Sequence, residues 1–180
     1  MAGMTVDGIY QLLLNQFGEE QIRQLHTESK DPWIEVAAGS IASVAEHVKS
    51  TPELAFDLLC NLTGVDYFET SPKLVAKFPY TPHVEVVYHL YSIRHRHRLV
   101  LKVHLPRWQD ETPGRLPEIP TVSHVWGIAD WHEREAFDLV GIHFLGHPNL
   151  VRILCPDDWV GHPLRKEYEL PLEYHGIRGK

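Results

Sequence analysis

The residue most in need of a chemical explanation is Glu133. Val122, Val125, Trp126, Ala129, Ala136, Phe137 and Val140 recur at helical spacing and predict one apolar stripe on a helix over 122–140. A step of about 100° per residue sets Glu133 in the middle of that stripe. A carboxylate among apolar neighbours is costly unless it is paired or protonated. Three readings are open. The stripe widens at its end and Glu133 reaches solvent. Glu133 accepts hydrogen bonds from an arginine further along, Arg152 or Arg165, in a structural ion pair. Or it is a general acid or base, although no nucleophile or ligand set accompanies it. Arg134 and Asp138 project elsewhere, at a spacing that lets them pair.

His132-Glu133-Arg134-Glu135-Ala136 comes near the zinc-protease pattern H-E-x-x-H and fails it, because Ala136 stands where the second histidine is required. A stand-alone metal-dependent hydrolase using His132 and Glu133 is therefore the alternative reading. The 13 histidines are scattered, and no metal site is expected. Cys60 and Cys155 are the only cysteines. An iron–sulfur cluster needs about four ligands, mostly thiolates, so this chain does not hold one unaided. A net charge of −7 argues against nucleic acid as a partner. The basic run Arg94 to Arg98 reads as a solvated hairpin tip.

These residues need elements to position them. With 43% hydrophobic and 23% charged residues, 180 residues suit one compact domain. Val6–Phe17 predicts a helix with Asp7 as its cap, closed by Gly18. Gln21–Glu28 and Trp33–Val36 are short strands. Ser40–Val48 predicts a helix burying Ile41, Val44, Ala45 and Val48. Thr51-Pro52-Glu53 starts a further helix to about Leu62, with a strand over Thr63–Phe68. His83–Ser92 and Arg98–Leu105 alternate cleanly and predict an antiparallel hairpin. Arg107–Thr121, with three prolines, reads as a loop. The fold class is α+β, with helices packed on one face of a small, mainly antiparallel sheet. An extended C-terminal tail follows, so the division is 1–145 for the domain and 146–180 for a partner-binding tail. No apolar run approaches the roughly 20 residues that span a bilayer. Met1–Gly8 lacks the pattern of a signal peptide.

In the tail, Gly, Pro and His-Pro steps alternate with single large apolar residues. Such a segment buries little against itself and suits a surface supplied by another chain. Glu133-Arg134-Glu135, Phe137-Asp138-Leu139, Gly141-Ile142, Gly146-His147-Pro148, Arg152-Ile153-Leu154, Pro156-Asp157-Asp158-Trp159 and Gly161-His162-Pro163-Leu164-Arg165-Lys166 stand in close succession. Together they resemble the signature of the 30 kDa, or C, subunit family of respiratory complex I, the NADH–quinone oxidoreductase.

The resemblance implies a subunit of the hydrophilic arm, peripheral on the cytoplasmic face of the bacterial inner membrane and reaching the membrane only through the complex. It implies no cofactor in this chain. FMN and iron–sulfur clusters belong to partner subunits, and NADH and quinone are substrates of the proton-translocating assembly. The implied partners are the large hydrogenase-derived subunit of the quinone site and the cluster-bearing subunits. Related subunits serve photosynthetic NDH complexes and membrane-bound hydrogenases. On this reading Glu133, Arg134, Glu135, Asp138, His147, Arg152, Asp158, Trp159, His162, Leu164, Arg165, Lys166 and Tyr168 are structural or partner-interface residues, and none is catalytic. Trp159, Leu164 and Tyr168 are expected to dock on the partner, while Arg165 and Lys166 meet acidic groups there. Without the partner, the chain beyond Gly161 is expected to be loose.

Overall fold

The computed structural model describes residues 3–178; expectations that touch Met1, Ala2, Gly179 or Lys180 lie outside them. The elements in order are α1 (Val6–Phe17), β1 (Ile22–His26), β2 (Trp33–Val36), α2 (Ile41–Ser50), β3 (Leu58–Tyr67), α3 (Pro72–Val75), β4 (His83–Ser92), β5 (His97–Leu105), β6 (Glu118–Pro120), α4 (Ala129–Val140), β7 (His143–Leu145), β8 (Glu173–Tyr174) and β9 (Ile177–Arg178). The central sheet has the order β1-β2-β5-β4-β3. Only its β2–β5 pair is parallel. This is the α+β class that the patterning predicts.

The β4–β5 hairpin explains the layering. Val84, Val86, Tyr88 and Leu90 stand opposite Leu105, Val103, Leu101 and Leu99. Alternation sends all eight to one face, where they join Ile9 and Leu13 of α1, Val44 and Val48 of α2, and Ala136 and Val140 of α4 in one core. Where α4 ends, it lies close over β3. A Cβ on Gly64 would come within 2.8 Å of Ile142 Cδ1. The hairpin tip is less solvated than expected. His97 is buried, with Nε2 donating to Leu54 O at 2.8 Å and Nδ1 accepting from Met4 N at 3.2 Å.

Four expectations are corrected. The cap of α1 is Thr5, whose hydroxyl accepts from Gly8 N, rather than Asp7. The run after Thr51 is a turn and then β3, not a helix. A register irregularity between Leu59 and Asn61 breaks the two-residue alternation and hides the strand. Residues 107–121 contain β6, which pairs with β7. Finally, α4 begins at Ala129. Val122–Ile128 folds as turns, with Val125 N and Trp126 N both donating to Val122 O. Val122, Val125 and Trp126 remain buried, so the apolar stripe is real while the first third or so of its helix is not.

Candidate functional site

Helix α4 buries two carboxylates, and the chain on either side is folded around them. Glu133 is fully buried. Its Oε1 accepts from Val122 N at 2.7 Å and its Oε2 from the Thr121 hydroxyl. Neither Arg152 nor Arg165 reaches it, which corrects the expected ion pair. The turns before α4 bring Thr121 and Val122 back to this carboxylate. Burial dominates its titration and, with the charge of Asp130, pushes its pKa up to about 7 against the two hydrogen bonds. The His147 ring, fully buried, lies 3.9 Å away. Its Nε2 donates to Asp130 O at 3.2 Å, and Nδ1 accepts from Asn149 N at 3.0 Å.

Asp138 is as buried as Glu133 but differently partnered. Its Oδ1 accepts from Arg152 at 2.7 Å. Its Oδ2 accepts from three successive backbone amides, Ile153, Leu154 and Cys155, at 3.0, 2.7 and 2.9 Å. Burial would raise its pKa, but these donors outweigh it and hold it down at about 2. Arg152 also reaches Asp138 O and Gly161 O, and His162 Nδ1 donates to Asp138 O at 2.9 Å. Gly141 ends α4 in the left-handed region with the His162 ring against it; a Cβ there would meet that ring at 2.5 Å. The expected Arg134–Asp138 pair is therefore absent. Arg134 instead donates to Val151 O at 3.2 Å and lies over the Trp131 ring.

A third buried carboxylate, Asp66 at the end of β3, continues the clasp. Arg107 holds it with two bonds of 2.8 Å, and Lys166 N donates to it at 2.9 Å. Arg165 turns inward. It is 5% exposed, sits over the Trp108 ring and donates to the carbonyls of Val140, Arg107 and Gly141. Its bonds within the chain correct the expectation that it reaches outward. The segment expected to be loose beyond Gly161 is bonded to the domain through Leu164 N on Leu139 O and through Arg165.

The remaining residues flagged from the sequence fall into two groups. Glu135, Asp158, Leu164 and Lys166 are exposed. Trp159 and Tyr168 are half-buried, Trp159 against Tyr174 and Tyr168 against Gly161. Asp158 accepts from Tyr174 and His175, which fixes the β8–β9 hairpin to the tail. Sequence reasoning missed Asp66, Arg107 and Thr121. Thr121 gave no signal, because it lies in a stretch that reads as loop.

The clasp has an outward consequence. With Arg152 and Arg165 turned in, the segment shows Leu154, Val160 and Leu164 to solvent at 62, 86 and 55% exposure, and α4 shows Trp131 at 59%. Among the described residues, no helix is long and apolar enough to cross a membrane.

The family described as "Respiratory-chain NADH dehydrogenase, 30 Kd subunit" matches residues 34–174. Among similar proteins, the C-type subunit of the NADH-quinone oxidoreductase of Roseiflexus castenholzii is 43% identical over 140 residues, covering 78% of this chain and 71% of that one. Its counterpart in Chloroherpeton thalassium is 36% identical over 171 residues, covering 94% of this chain and 63% of that one. A chain in the structure of the membrane-bound sulfane sulfur reductase, an archaeal respiratory membrane complex, superposes with a TM-score of 0.64. It covers 91% of this chain and 85% of its own length, and at 22% identity the likeness is one of fold.

Proposed function

The chain belongs to the family of the respiratory-chain NADH dehydrogenase 30 kDa subunit, and from that premise we propose that it is a cofactor-free, peripheral-arm subunit of a proton-translocating NADH–quinone oxidoreductase. In this reading it catalyses nothing alone. It supports the large hydrogenase-derived subunit at the quinone site, while FMN and iron–sulfur clusters in partner subunits carry electrons from NADH. The chain works on the cytoplasmic face of the inner membrane and reaches the membrane through its partners.

The observation that carries the reading is the clasped segment 147–168. Its two arginines are spent inside the domain, Arg152 on Asp138 and Arg165 on backbone carbonyls, and its Lys166 amide on Asp66, while Leu154, Val160 and Leu164 point outward. Large apolar residues in the open suit the buried centre of a protein–protein interface. Order supplied beforehand lowers the entropic cost of association. In this proposal the division at 145/146 is one of role: the domain carries the clasp, and 146–180 carries the contacts, with Trp159, Tyr168 and Lys166 beside the apolar anchors.

The hydrolase alternative loses its footing. Glu133 is enclosed, and among the described residues the one group of three histidine, cysteine or carboxylate side chains close enough to hold a metal lies elsewhere. The test is affinity purification of the chain, tagged at its N-terminus, from its native membranes. The proposal expects the large subunit and the cluster-bearing subunits to come with it. Recovery of the chain alone after cross-linking contradicts it.

A further inference from the structure

The sheet face opposite the core carries a cluster that neither the clasp nor the docking segment uses. His83 and Glu85 are two apart on β4, and Glu85 stands directly opposite His104 on β5. Alternation therefore sends all three to one side. Their ligand atoms lie within 4.8 Å of one another. Glu85 Oε1 is 2.7 Å from His104 Nε2 and 3.5 Å from His83 Nε2. Ligands bonded to zinc at about 2.0–2.1 Å sit roughly 3.4 Å apart around a tetrahedron, so small side-chain rotations admit an ion among them.

The surroundings are those of a metal site rather than of a loose ion pair. Metal-bound histidines have their second nitrogen tied to a carbonyl or carboxylate. His83 Nδ1 donates to Thr81 O at 2.6 Å, which leaves the Nε2 lone pair facing Glu85. His104 Nδ1 lies 3.6 Å from Glu35 Oε1, just outside hydrogen-bond distance and within reach of a small rotation of the ring. The His83 ring is stacked on Tyr67 at 4.6 Å, which fixes its plane. The Glu85 side chain is 5% exposed and gives its other oxygen to the Lys102 ammonium at 2.9 Å, so Oε1 alone is offered. The imidazoles are 18 and 32% exposed, which leaves one side of the cluster open to solvent.

We propose that His83, Glu85 and His104 form a binding site for one divalent transition-metal ion of the zinc class, with water in the fourth position. Two imidazoles and one carboxylate favour zinc-type ions over magnesium or calcium, which prefer all-oxygen shells. The site does not rest on the assignment to a respiratory complex, and its test reads metal alone.

The experiment titrates the full 180-residue chain, stripped with chelator, with zinc by calorimetry and with cobalt by visible absorption. One equivalent of zinc is expected, with cobalt bands of a tetrahedral nitrogen–oxygen site. His83→Gln and His104→Gln are each expected to weaken binding by at least about 100-fold. Glu35→Gln, which touches no metal, is expected to weaken it about 10–100-fold. His124→Gln is expected to leave it unchanged. Circular dichroism checks that each variant is folded. If His104→Gln fails to fold, His83→Gln at the end of its strand carries the same readout. Absence of saturable binding, or binding that both His83→Gln and His104→Gln leave intact, overturns the proposal.

Discussion

Glu133 and Asp138 lie on one helix, five residues apart, and neither is reached by solvent. Their titrations nevertheless run in opposite directions, up to about 7 for Glu133 and down to about 2 for Asp138. Burial is the largest influence on both and acts the same way. What differs is how densely the protein packs around each carboxylate, more so at Glu133, and the donor set. Glu133 has one amide and one hydroxyl, whereas Asp138 has three amides and a guanidinium. Enclosure alone therefore does not set a buried carboxylate's charge; the count and charge of its donors set it too. The two also do different work. Glu133 seals α4 to the turn before it. Asp138 holds the segment after it, and so the face that segment displays.

The contrast can be broken most severely at Asp138. Asp138→Ala leaves Arg152 and three amides without their acceptor and is expected to cost on the order of 3–5 kcal/mol, read by chemical denaturation. The sign with pH follows from the lowered pKa. The carboxylate's contribution is complete above about pH 4 and is lost as pH falls towards 2. The acid limb of the wild-type stability curve should therefore flatten in Asp138→Ala.

Glu133→Gln should do the reverse. A pKa raised from 4.5 to about 7 means that the wild type loses stability as pH rises between those values. At pH 8 the variant is expected to be more stable than the wild type by up to about 3 kcal/mol, with the advantage gone at pH 5. Thr121→Val removes one donor from Glu133 and is expected to cost about 1 kcal/mol while moving the titration of Glu133 higher, seen by carboxyl NMR. Arg134→Ala, on the same helix but outside both enclosures, is expected to change stability by less than about 1 kcal/mol.

The helical period makes Glu133 legible, because a carboxylate on an apolar stripe is an anomaly that the sequence displays. Its partners are not legible. Thr121 and Val122 sit in turns that the same apolar spacing disguises as helix, since Val122, Val125 and Trp126 are buried either way. Asp138 reads from its spacing as a solvent-facing partner for Arg134. The period identifies the face buried on the sheet, and a second face buried by a non-periodic tail leaves no period to read. The hairpin is legible from its apolar alternation. Its polar positions, His83, Glu85 and His104, obey the same alternation but announce nothing, because their meeting depends on the register between two strands. The likeness of residues 133–166 to a known family is legible because it resides in a dense run of residues rather than in geometry.

In the proposed function, the clasp serves to present a docking face. The most direct test is a chain carrying Leu154→Asp and Leu164→Asp, two exposed positions, returned to its native membranes in place of the wild type. The doubly substituted chain is expected to melt like the wild type yet be absent from the isolated respiratory complex, with NADH–quinone activity lost from the membranes. A doubly substituted chain that enters the complex in wild-type amounts and supports full activity contradicts it.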